Sequence, residues 1–183
     1  GNYGYLRFER EIDMPPIMGS RSTNLTVGLG GLEGRALIPG DELGFAGLGR
    51  SVTTPTITTD DGPLRFTWGL HADLFPAAMR EAFVTTSFVI SQRLDRMGAR
   101  LDDRGGLFPG SRSLSLVSDA IVAGDIQILG DGTPIVLLRD HQPTGGYPRI
   151  ATVISADLDR FVQLRTGTAI TFQPTTVAKA QEA

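Results

Sequence analysis

Cysteine is absent from this chain of 183 residues. Disulfide staples, thiolate nucleophiles and zinc–thiolate centres are therefore excluded together. Lysine is nearly absent, since Lys179 stands alone, so neither Schiff-base chemistry nor a phosphate loop with its lysine is expected. The two histidines, His71 and His141, are too few for a histidine-rich centre, and no metal site is expected. No apolar run approaches the roughly 20 residues that span a bilayer. The N-terminal Gly1-Asn2-Tyr3-Gly4-Tyr5 lacks the basic and apolar regions of a signal peptide, and it has no initiator Met. These features predict a cytoplasmic protein, away from the membrane, whose chain begins inside a longer gene product. A formal charge of −3 with scattered arginines offers no field for nucleic acid, and no nucleic-acid partner is expected.

What is present is punctuation. Twenty-three glycines and eleven prolines divide short apolar segments about every eight to fifteen residues, which reads as an all-β barrel with one or two short helices. Strands are predicted at Tyr5–Phe8, Pro63–Trp68, Phe83–Ile90 and Thr168–Phe172. A hairpin is predicted around Gly130-Asp131-Gly132, after a strand that carries a bulge at Gly124-Asp125. Asp73 is expected to cap a helix over Leu74–Ala82, and Asp157 or Ser155 one over Leu158–Leu164. Residues 46–62 read as a surface loop, and the charges of Leu94–Leu101 as a local ion-pair cluster. The four glycines of Val27–Arg35 preclude a helix, and their spacing does not fit a nucleotide loop. Residues 1–174 are expected to form one barrel domain, followed by a frayed tail over 175–183.

The chemistry concentrates between Asp140 and Ile150. His141 reads either as a proton-transfer group oriented by Asp140 or as a structural loop histidine. Thr144-Gly145-Gly146 reads either as a backbone nest for a carboxylate or phosphate, or as an ordinary glycine turn. Tyr147 either stacks on a planar ligand or fills a corner of the barrel. Arg149 either grips a carboxylate or joins a solvated ion pair, and Arg21 and Arg96 pose the same question.

The runs Gly124-Asp125-Ile126-Gln127, Asp131–Leu137 and Thr144–Ile154 resemble the allophanate hydrolase subunit 2 family. Gly19–Thr23, Gly30–Arg35, Gly40-Asp41 and Asp95–Leu101 agree in the same order. Three departures stand out: Gly69-Leu70-His71 occupies a common Gly-Pro-Gln, Pro143 a common Thr, and Arg149 a frequent Lys. The resemblance covers about Tyr5 to Phe172 and implies a cyclophilin-like barrel that forms the second part of a longer unit, so the upstream half of that unit is an expected partner. It implies a component of an ATP-dependent 5-oxoprolinase, or of a related amide or urea carboxyltransferase-hydrolase, working beside a subunit 1 partner on a small carboxylate or urea-like substrate. ATP is then a requirement of the assembled complex. Biotin enters only if another domain carries it, because no Met-Lys-Met carrier segment is present. Asp140 and His141 become the expected catalytic pair, and Arg21, Arg96, Thr144, Gly145, Gly146, Tyr147 and Arg149 the expected substrate-binding groups. A non-catalytic alternative, a regulator that binds a histidine-kinase inhibitor, is implied by the same family.

Overall fold

The computed structural model describes residues 3, 4, 6, 8–47, 61–108, 110 and 116–183. The chain divides into two compact units, Tyr5–Ile57 and Thr58–Ala183 with Gly1–Gly4.

In the smaller unit, β1 (Glu11–Ile12) pairs antiparallel with β2 (Phe45–Ala46). Of its described residues only Gly30 is buried, so turns and polar bonds, rather than a core, hold its shape. The main clasp is Arg35, whose two terminal nitrogens donate to Asp41 at 2.8 and 2.9 Å while Asp41 also accepts from the Ile38 amide. The Arg35 guanidinium, with help from that amide, pulls the Asp41 carboxyl down to about 2. The strand expected at Tyr5–Phe8 falls partly outside the described residues, and its described members Leu6 and Phe8 are irregular. The surface loop expected over 46–62 lies largely outside the described residues.

The larger unit is the expected all-β barrel. Its strands are β3 (Leu64–Trp68), β4 (Phe88–Leu94), β5 (Gly98–Asp102), β6 (Asp119–Ala120), β7 (Asp125–Ile128), β8 (Pro134–Leu137), β9 (Thr144–Gly145), β10 (Arg149–Val153), β11 (Ala169–Ile170) and β12 (Phe172–Pro174). Eight of them form one sheet in the order β11-β4-β5-β8-β7-β10-β3-β12. Its two edges, β11 and β12, are consecutive pieces of chain separated only by Thr171, so the sheet nearly closes on itself. β11 runs antiparallel to β4, and β12 parallel to β3. The single last strand expected over Thr168–Phe172 is thus broken, because one segment has to serve both sides of the seam.

Side chains alternate across the pleat, which sends Leu64, Phe66, Phe88, Ile90, Leu101, Ile126, Ile128, Val136, Ile150 and Val153 into a common core. Helix α1 (Ala77–Thr85) inserts Phe83 among them, stacked on Phe172 at 5.0 Å and within 5.5 Å of Phe66 and Phe88. This overturns two expectations. Phe83 belongs to a helix, not to the start of a strand, because its ring is needed at the barrel centre. The helix also starts three residues later than Leu74, since Pro76 holds Phe75 extended and puts itself at the N-cap. A short 3-10 turn, Ala72–Leu74, precedes it, and Asp73 pairs with Arg80 instead of capping.

Helix α2 (Ser155–Gln163) follows β10 with no side-chain cap, because Asp157 turns inward to Arg65. The tail is not frayed throughout: α3 (Val177–Gln181) forms there, capped by Thr176, whose hydroxyl accepts from the Lys179 amide. Helices therefore number three among the described residues, not one or two.

The expected hairpin forms between β7 and β8. The chain turns at Ala123-Gly124, so Asp125 opens β7 and does not sit in a bulge. The loop closing the hairpin needs glycine at 132, where φ is +86° and a Cβ would lie 1.9 Å from the Phe108 carbonyl oxygen. Gly132→Ala is expected to lose at least about 2 kcal/mol through left-handed strain and this backbone collision. A denaturant midpoint unchanged from wild type would show that Phe108 and Gly110 do not lie over the turn.

Candidate functional site

β7 and β8 are buried on both faces. The core covers one, and a two-stranded ribbon, β6 paired with β9, covers the other. Ile121 anchors this ribbon on Ile135, Leu137 and the half-buried Leu129, a contact worth about 1.5–3 kcal/mol. Gly145 and Gly146 let it lie flat. A Cβ on Gly145 would meet the Gln127 amide nitrogen at 2.7 Å, and one on Gly146 the Leu116 carbonyl oxygen at 2.9 Å. Neither glycine has positive φ. The glycine pair serves close packing, Gly145 against the Gln127 and Ile121 side chains and Gly146 against the Leu116 backbone, and the alternating left- and right-handed geometry of an anion nest is not formed.

Beneath the ribbon lies a polar floor. Alternation along β7 directs Ile126 and Ile128 inward, which turns Asp125 and Gln127 outward, yet each is only 1% exposed. β10 contributes Arg149 and Thr152, three residues apart, which an unbroken strand would place on opposite faces. A register shift against β7 between Arg149 and Ala151 adds one residue and brings both to the outer face. The Thr152 hydroxyl donates to one Asp125 oxygen at 2.6 Å and the Val122 amide to the other at 3.0 Å. Arg149 reaches Asp125 at 3.4 Å and Asp119, on the ribbon, at 2.8 Å. Gln127 donates to the Tyr147 carbonyl at a long 3.4 Å. His71 accepts from the Arg149 amide through Nδ1 and returns its own amide to the Arg149 carbonyl, which fixes its proton on Nε2.

The expected catalytic pair is not assembled. Asp140 meets Arg96 in a two-pronged bond of 2.9 and 3.1 Å, while His141 Nδ1 donates to the Gln142 carbonyl at 2.6 Å. After β8 the chain turns at Leu138, and this aims the Asp140 carboxylate at the turn between β4 and β5; there a charged, bidentate partner outcompetes a neighbouring imidazole. Arg96 is accordingly joined to Asp140 across 44 residues. A carbonyl only accepts, so His141 carries its proton on Nδ1, and Nε2 is the nitrogen able to take up another.

Thr144 and Tyr147 are exposed, Gly145 and Gly146 half-buried. The Arg149 side chain is 11% exposed and serves as an internal tie. Arg21 lies in the smaller unit, where it donates to the Met14 carbonyl and approaches Glu11 at 3.8 Å. The structure thus joins Arg149 to the Gly145–Tyr147 ribbon and places Asp140, His141 and Arg96 together beyond the end of β8.

The sequence marks the Gly69-Leu70-His71 segment as a departure but does not single out Asp119, Asp125, Gln127 or Thr152 as parts of the site. For Asp125 and Gln127 the signal is the alternation Asp125-Ile126-Gln127-Ile128, which places an acid and an amide on one face but reads as a solvent face until the ribbon is known. Among the described residues no three acids or histidines converge to hold a metal, and no helix is long and apolar enough to cross a membrane. Among the described residues, surface grooves open beside Trp68 and α1, at the barrel seam, and under α3, the last of them reaching Thr152 at the margin of the floor.

Comparison with known proteins places this geometry in a family. The family model described as "Carboxyltransferase domain, subdomain A and B" matches residues 1–174. The chain is 36% identical to a 5-oxoprolinase subunit from Escherichia coli (strain K12), an alignment covering 100% of this chain and 59% of that protein. It is 34% identical to the corresponding 5-oxoprolinase subunit from Haemophilus influenzae, over 98% of this chain and 58% of the relative. The chain therefore spans under three fifths of the length of these two proteins. The crystal structure of Kluyveromyces lactis urea carboxylase superimposes with a TM-score of 0.77 at 26% identity, covering 94% of this chain and 18% of that one. The chain belongs to the carboxyltransferase domain family, subdomains A and B, as its motifs and nearly closed barrel foretold.

Proposed function

We propose that this chain serves as part of an oxoprolinase or urea carboxylase-like system that processes an amide or urea-type C–N bond, and specifically ATP-dependent opening of 5-oxoproline to glutamate beside a subunit 1 partner. The observation that carries this reading is 36% identity to a 5-oxoprolinase subunit, maintained across the whole chain. Opening the lactam adds one water across its C–N bond and yields a carboxylate and an amine, so the reaction needs a group that moves protons. His141 suits that role through Nε2, and Arg96 and Asp140 hold the adjoining loop in place. Tyr147 and Thr144 present a phenol and a hydroxyl to solvent beside it in sequence. ATP is a co-substrate of the assembled system. Biotin, if used, arrives on another domain, since the one lysine, Lys179, is flanked by alanines.

The test combines the chain and its upstream half with the subunit 1 partner and the third oxoprolinase subunit, and follows ATP hydrolysis that depends on 5-oxoproline. Turnover is expected, and His141→Ala should reduce kcat by about 10²-fold or more. An unchanged rate in His141→Ala removes that residue from the chemistry. Tight partner binding with no turnover would sink the enzymatic reading and favour the regulatory one.

A further inference from the structure

Stability alone does not require an acid and an amide, Asp125 and Gln127, to be buried on the outside of a barrel beside the half-buried Arg149 and Thr152. Asp125, Gln127, Arg149 and Thr152 share one face, and Arg149 and Gln127 are direct partners in the ladder. Their guanidinium and carboxamide therefore leave the sheet side by side. The two acids that balance Arg149 differ in kind. Asp125 is fixed by Thr152 and the Val122 amide and contacts Arg149 only at 3.4 Å. Asp119 is half exposed, sits on a two-residue strand, and makes the short 2.8 Å bond. The ribbon that carries it touches the floor through Ile121, Gly145 packed on the Gln127 side chain, the long bond from Gln127 and the Asp119 carboxylate.

We propose that the β6·β9 ribbon is a cover over a binding site for a small carboxylate that also bears an amide, and that Asp119 holds the carboxylate's place on Arg149 while the cover is down. Exchanging one carboxylate for another leaves the charge of the buried cluster unchanged, so Arg149 is never stranded without a counterion. Gln127 supplies one donor and one acceptor, the complement of an amide's C=O and N–H. 5-Oxoproline has both groups on a single ring. The choice of that ligand rests on the function proposed above, whereas the cover itself does not depend on it.

Hydrogen–deuterium exchange of segments 116–122 and 144–147 in the full chain, titrated separately with 5-oxoproline, acetate and urea, tests the proposal. 5-Oxoproline is expected to speed exchange in both segments with a saturable dependence. Asp119→Ala, at a half-exposed position that tolerates truncation, should raise exchange without ligand and tighten 5-oxoproline binding by about tenfold, because it removes an internal competitor. Gln127→Leu should weaken 5-oxoproline more than acetate, with melting temperature as the check on folding. Failure of every ligand to move the ribbon, together with an Asp119→Ala chain that binds no better, overturns the cover. Opening by acetate but not by 5-oxoproline would uphold the cover and reject 5-oxoproline as its occupant.

Discussion

Phe83→Ala is expected to destabilise the larger unit by about 3–5 kcal/mol and to lower its melting temperature by roughly 10 °C or more. Phe83 is fully buried and is the one buried side chain of α1. Its ring stacks on Phe172 and meets Phe66, Phe88, Phe108 and Trp68 at tilted or edge-on angles, contacts that add to the transfer of apolar area. Truncation empties a volume that strands on opposite sides of the barrel cannot move together to fill, so the cost belongs at the upper end of the range. Amide exchange should rise throughout α1, which loses its anchor. A loss below about 1 kcal/mol would mean that the helix does not plug the barrel.

Asp157→Ala should cost about 2–4 kcal/mol and change how stability depends on pH. The Asp157 carboxylate is almost wholly buried and accepts from the Arg65 guanidinium at 2.6 Å and from the Arg65 amide at 2.7 Å. Burial disfavours its charge, but the Arg65 hydrogen bonds outweigh that penalty, with further help from the charges of Arg65 and Arg160, and its carboxyl is held below the ordinary value. A lowered folded value means that Asp157 contributes its full stabilisation above the unfolded value near 4 and loses it as pH falls through the folded value. Wild type should therefore lose stability below about pH 4 more steeply than Asp157→Ala does. Arg65 is 41% exposed, so part of its charge rehydrates in the variant, and this keeps the expected cost below that of a pair buried on both sides. Parallel acid limbs in urea titrations of the two proteins would remove this pair from the account.

The barrel was legible in the sequence because period-two alternation and closely spaced turn residues are local signals. The β7–β8 hairpin at Gly130-Asp131-Gly132 could be read for the same reason. What could not be read was decided at a distance. Phe83-Val84-Thr85 looks like strand on propensity, and its place in a helix follows only from the cavity that the other rings leave. Asp157 looks like a helix cap until Arg65, 92 residues away, claims it. The candidate site divides along the same line. Arg149 and the Gly145-Gly146 pair were identified, but the partners that define their work, Asp119, Asp125 and Gln127, come from elements that alternation marks as surface. Asp140 and His141 were paired because they are adjacent, and adjacent side chains on an irregular segment have no reason to face each other.

The seam at Thr171 makes the barrel's wall depend on one short piece of chain used twice. Phe172 pairs with Leu64, over a hundred residues earlier, and Ile170 with Phe88. Until that piece docks, β3 and β4 each offer a bare edge, able to recruit a foreign strand as readily as the native one. Closure is thus a late, non-local event with a large loop entropy, which predisposes the unit to slow folding and to self-association beforehand. In a cell the vulnerable interval lasts from synthesis of β3 until β12 is in place, and chaperone demand should be greatest within it.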